Sequence, residues 1–74
     1  MAYRFCILGT LVRISPTVAV RRIVVAFRHE GGNTTQAAAR LNVDRRTLMR
    51  WVVLLDEAGY EIRAAIDDIR AEAA

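Results

Sequence analysis

Three arginines, Arg45, Arg46 and Arg50, fall close together directly behind an aspartate, Asp44. A guanidinium presents its N–H donors in a planar fork, which suits a phosphate or the edge of a guanine two bonds at a time. Grouped this way, the three offer binding of an anionic partner rather than bond making. Material for catalysis is scarce. The chain has 74 residues with one Cys, one His, one Pro, a single Ser and no Lys, so all eleven basic residues are Arg. A Cys-ligated zinc site, a disulfide framework and a Cys/His ligand cluster are excluded. Cys6 reads as a small buried hydrophobe in a reducing compartment. His29 falls in the last turn of a helix, where it satisfies free carbonyls. Asp67 and Asp68 are adjacent and diverge by about 100° on a helix, while Glu57 and Glu61 straddle Gly59. These acids read as a solvated face. No phosphate loop, zinc pattern or nucleophile motif is present. We therefore expect no catalytic residue, no metal and no cofactor.

The net charge of +3 is unevenly spread. Residues 1–55 hold nine Arg against Glu30 and Asp44, a net of +7; residues 56–74 hold Arg63 and Arg70 against six acids, a net of −4. Such asymmetry points to a polyanion for the front of the chain and a different partner for the tail. Nucleic acid and an anionic membrane surface both satisfy it. A membrane span does not fit, because the longest run without charge or strong polarity, Phe5–Val12, is far short of the roughly 20 residues required. The apolar start lacks a small-residue cleavage site, and Arg13, Arg21 and Arg22 follow too soon for an export signal. A cytoplasmic protein is expected.

The elements that must position the arginines are helical. Residues 1–14 are the least regular: Tyr3, Phe5 and Ile7 alternate with Arg4, Cys6 and Leu8, and the segment is read as a loosely ordered, extended N-terminal arm. Ser15-Pro16-Thr17 marks a helix start, with Ser at the N-cap and Pro at the first helical position. That helix runs to His29 or Glu30, where Gly31-Gly32 gives a left-handed end. Its apolar stripe is Val20, Ile23, Val24 and Phe27. A short second helix begins after Asn33 or Thr34 and ends near Leu41, and Ala38 allows another backbone to approach closely. Asn42, tolerant of positive φ, and the cap Asp44 lead into a third helix from Arg45 to about Glu57, closed by Gly59. Leu41, Val43 and Leu48 point inward. The tight turn Asn42–Asp44 gives a helix-turn-helix at about 34–57, with the third helix presented outward. The last helix, about Tyr60–Ala73, is amphipathic through Ile62, Ile66 and Ile69, a stripe that suits either the chain's own core or dimerisation. The expected class is all-α: an arm at 1–14, a helical unit at 15–59 and an acidic helix at 60–74.

The string Gly32–Val52, GNTTQAAARLNVDRRTLMRWV, resembles the Fis-type helix-turn-helix found in nucleoid proteins and enhancer-binding activators. Gly32, Asn33, Ala37, Ala38, Leu41, Arg45, Thr47 and Leu48 match the family pattern, and Val43 and Val52 replace Ile and Leu. The resemblance spans about residues 18–59. It implies double-stranded DNA as the partner. Arg45 and Thr47 would reach base edges or phosphates in the major groove, and Arg50 a base edge or the backbone. Asn33 and Thr35 would hold a phosphate. To these the local pattern adds Arg46 as a phosphate contact. The sequence departs from the family at Asn42, where Gly is usual, and at Met49 and Trp51, often basic in Fis itself; Trp51 reads as packing. One helix before the motif and an acidic helix after it also differ from Fis, so its DNA bending and dimer geometry are not carried over.

The function expected from these residues is sequence-specific DNA binding by a homodimer, as in a small bacterial or phage transcription regulator. Two other readings fit the same residues. One is a protein-interaction adapter that binds a partner through the C-terminal helix or the N-terminal arm. The other is the DNA-recognition subunit of a packaging or recombination complex.

Overall fold

Pro16 decides how the chain enters its core. A residue before proline is excluded from the α region, and Ser15 sits at φ −136, ψ 75, which breaks what would otherwise be one long helix. In the computed structural model, which describes residues 7–73, α1 (Ile7–Ile14) and α2 (Pro16–His29) meet at that single residue. The Ser15 N–H donates to the Leu11 carbonyl at 2.7 Å, and its own carbonyl accepts from Ala19 N–H at 3.0 Å. Its hydroxyl makes no capping bond. From Ile7 onward, then, the extended arm is corrected to a helix, with Leu8 buried and Leu11 and Val12 packed against the core. Leu8, Leu11 and Val12 follow i, i+3, i+4, the helical spacing. The readings of Tyr3, Arg4, Phe5 and Cys6 lie outside the described residues.

Three further helices follow: α3 (Thr34–Arg40), α4 (Arg45–Leu55) and α5 (Ile62–Ala73), with a wide π-type turn at Asp56–Tyr60 before the last. The described residues are all-α and contain no strand. Helix α2 is central and packs against α1, α3 and α5. Its buried face is Ala19, Ile23, Ala26 and Phe27: Ile23 and Phe27 are as expected, while Val20 and Val24 lie only half-buried at its edge and Ala19 and Ala26 complete the face. Phe27, Ile23, Leu48, Val52 and Ile62 are the largest fully buried side chains.

The helix ends follow from specific residues. Gly32 N–H donates to the Phe27 carbonyl at 2.8 Å and Gly31 N–H to the Arg28 carbonyl at 3.4 Å, the paired bonds of a Schellman end. Asn42, at φ 63, closes α3 in the same way: Val43 N–H reaches the Ala38 carbonyl and Asn42 N–H the Ala39 carbonyl, both at 3.0 Å. The α-helix expected to reach about Glu57 stops at Leu55. Gly59 (φ 98) and Glu61 (φ 51) then turn the chain, so α5 opens at Ile62 rather than Tyr60. There the Asp56 carboxylate accepts the Arg63 N–H at 3.2 Å.

Ile62, Ile66 and Ile69 are 0%, 4% and 5% exposed within this one chain. Of the two roles the stripe suits, this burial supports the chain's own core: its apolar area packs against the chain's own helices.

Candidate nucleic-acid interface

The residues expected to act together fall into two groups, separated by the four-residue connection between α3 and α4. Asn33 and Thr35 stand at the start of α3. Arg45, Arg46, Thr47 and Arg50 occupy the first half of α4.

Asp44 organises the second group. Its carboxylate accepts N–H bonds from Arg46 and Thr47, each at 3.3 Å, and the Thr47 hydroxyl at 2.8 Å. These bonds favour the ionised form; the Thr47 hydroxyl contributes most, then the Thr47 and Arg46 amides, and together they hold the Asp44 carboxyl below its ordinary range. The cap thereby fixes where α4 begins. It also commits the Thr47 hydroxyl proton, so half-buried Thr47 offers an outside partner a lone pair and a methyl group.

Arg45, Arg46 and Arg50 are exposed, and none forms an ion pair among the described residues. Arg46 and Arg50 are four apart and share one line along the helix. Arg45 opens the helix on the flank of Met49, and these two border a shallow depression with Asp44 and Arg46. Trp51 faces the other way. Its ring is half-buried against the core and close to Gly9 of α1, where a Cβ would meet the ring at 3.4 Å. Leu48, Val52 and Leu55 anchor the inner face of α4, so Arg46 and Arg50 are presented outward by burial on the opposite side, while Arg45 is exposed at the helix start.

At the start of α3, the Asn33 side-chain oxygen accepts the Gln36 N–H at 2.9 Å. What Asn33 retains for another partner is its amide NH2. Thr35 is exposed.

Reading the sequence missed Arg70. This residue of α5 donates from Nε to the Gly32 carbonyl at 3.0 Å and from Nη2 to the Thr34 hydroxyl at 2.9 Å. It thus ties the last helix to the turn that launches α3. Gly32 is buried against it, and a Cβ there would overlap Arg70 Cγ. The sequence signal is indirect: a Gly pair at the α2 end, and an Arg beside the inward-facing Ile69. A second tie, Arg40 Nε to the Glu30 carboxylate at 2.9 Å, is exposed and adds little.

Among the described residues no group of three His, Cys, Asp or Glu is placed to hold a metal ion, and no helix is long and apolar enough to cross a membrane. No curated protein and no solved structure matches the chain. Residues 20–70, well over half of it, match the helix-turn-helix domain family, and the match takes in α3, the Asn42–Asp44 turn, α4 and most of α5. The chain belongs to the helix-turn-helix domain family.

Proposed function

We propose that the chain binds double-stranded DNA by setting α4 in the major groove, and that it acts as a small sequence-specific regulator of the Fis type. One observation carries this reading. Three arginines without ion-pair partners stand on the exposed side of the helix that follows the tight turn. In helix-turn-helix proteins that helix supplies base contacts from its N-terminal half. Arg46 and Arg50, on one line, are assigned to the groove together with Arg45. Asn33 through its amide and Thr35 through its hydroxyl are assigned to a flanking phosphate. The acid at the α4 cap disfavours a phosphate directly at that terminus, so the affinity rests on the guanidinium groups.

Fluorescence anisotropy of the full chain on random duplex DNA at two salt concentrations tests this reading. Binding should weaken steeply with salt, because neutralised phosphates release counterions. Arg45→Ala and Arg50→Ala should each cost about 1–3 kcal/mol at a selected site. Unchanged affinity in folded variants would overturn the assignment of α4.

A further inference from the structure

We infer that a second copy of this chain docks along the outer flank of α2, and that it does so through the acidic flank of its own α5. The α2 flank carries Val18, Arg22, Val25 and His29 at i, i+4, i+7 and i+11, with Arg21 beside them. All five are exposed, and Val18 and Val25 are 39% and 44% accessible. Together with Ala26, Arg40 and Leu41 they line an open groove of about 460 Å³ between α2 and α3. Its floor is apolar and its rim basic. Arg21 and Arg22 have no ion-pair partner among the described residues, whereas Arg40 is paired with Glu30.

Helix α5 has the complementary arrangement. Ala65, Asp68 and Glu72 run at i, i+3, i+7 down the flank beside the buried Ile62/Ile66/Ile69 stripe, with Glu61 just ahead of the helix. Arg63, Asp67 and Arg70 fall on the opposite flank, so this one carries three acids and no base. None of the three acids is ion-paired among the described residues. The small Ala65 allows close helix approach. The α2 stripe extends for about 16 Å and the helical part of the α5 one for about 10 Å, at 1.5 Å per residue.

Charge chooses between the possible pairings. Two α2 flanks face to face would set Arg21 and Arg22 against themselves, and two α5 flanks would oppose six acids. Of these three pairings only α2 against α5 is attractive, and each chain carries both faces. A reciprocal pairing about a two-fold axis would make each residue contact twice. The exposed valines favour a helix with small side chains over a nucleic-acid backbone, because phosphates gain nothing from an apolar floor.

A charge exchange tests the assignment. Arg21→Glu/Arg22→Glu makes the groove acidic, and Asp68→Arg/Glu72→Arg makes the α5 flank basic. Circular dichroism and thermal melting establish that both variants fold. In sedimentation velocity at low salt the wild-type chain should self-associate, more weakly as salt rises. Each variant alone should associate at least about tenfold more weakly, since like charges now meet. An equimolar mixture of the two should recover association, because each variant's groove now matches the other's flank. A wild type that stays monomeric at hundreds of micromolar would overturn the inference, and so would association indifferent to either exchange. Anisotropy on duplex DNA is a separate test. If the groove variant alone loses DNA binding while the wild type stays monomeric, the α2 flank is a nucleic-acid contact and the inference fails.

Discussion

Gly32→Ala isolates the contact by which the last helix holds the start of the helix-turn-helix. At φ 88 any L side chain occupies the left-handed region, at a cost of about 1–2 kcal/mol. Sterics come on top. The new Cβ would overlap Arg70 Cγ and touch Arg70 Cα and Cβ at 3.4 Å. Cγ is not the free end of a flexible chain, because Nε and Nη2 beyond it are anchored to Gly32 O and Thr34 Oγ1. Moving the stem aside surrenders both bonds, each worth about 0.5–1.5 kcal/mol net. The expected loss is about 2–5 kcal/mol, a large share of a domain stabilised by roughly 0.05–0.15 kcal/mol per residue. Gly31→Ala is the matched control. Its φ of 63 carries the same backbone cost, but its Cβ would meet only Ala73 Cβ at an ordinary 3.7 Å. Urea unfolding followed by Trp51 fluorescence and circular dichroism measures both variants, alongside Arg70→Ala and Gly32→Ala/Arg70→Ala. With Arg70 truncated, Gly32→Ala should cost no more than Gly31→Ala does, a non-additivity expected for groups in contact. Equal losses for the two glycine variants in the wild-type background, or strict additivity in the cycle, would refute the reasoning.

Other expectations follow from the same structure. Ile66→Ala should destabilise by about 2–5 kcal/mol through the cavity it leaves. That loss should be the same at low and high protein concentration, since the side chain is buried within one chain; a concentration-dependent loss would restore the stripe to a dimer face. Asp44 is held below its ordinary pKa, so its contribution is complete above the unfolded value near 3.9 and disappears as pH falls through the lower folded value. Melting temperatures of wild type and Asp44→Ala should thus differ at pH 6 and converge in strong acid, and a gap that persisted there would mean that the carboxylate charge is not what stabilises the cap. Arg70→Ala should weaken DNA binding less than Arg50→Ala does in folded protein, because Arg70 acts through the α2–α3 turn; a larger loss at Arg70, seen by anisotropy, would make it a direct contact.

The parts of the fold legible in the sequence are those governed by local chemistry. The Gly31-Gly32 end, the Asn42 turn and the Asp44 cap each depend on residues a few positions apart, and each stands where its residues put it. Leu48 and Ala38 are buried because their spacing admits no other face. Helix α1 is harder to read, since Tyr3, Phe5 and Ile7 mimic a strand period just before Leu8, Leu11 and Val12 set a helical one. Ile23 and Phe27 of the α2 stripe are legible, but Ala19 and Ala26 bury little apolar area and so leave little trace in a hydrophobic pattern, although close packing needs them. Arg70 reads in the sequence like the other solvated charges of the tail. Its partners lie 38 and 36 residues away, and no local rule reaches that distance.

That separation also bears on when the start of α3 is braced. Helices α3 and α4 are synthesised well before Arg70, yet the turn that aims α3 gains its guanidinium tie only when the end of α5 arrives. A nascent chain stalled before α5 would carry all six residues expected to meet DNA and still lack the brace at the start of α3. Clipping the chain at the exposed segment 57–60 would likewise sever the covalent link between the α4 arginines and that brace. The brace at the start of α3 is thus tied to the arrival of α5 rather than to the presence of the residues assigned to DNA.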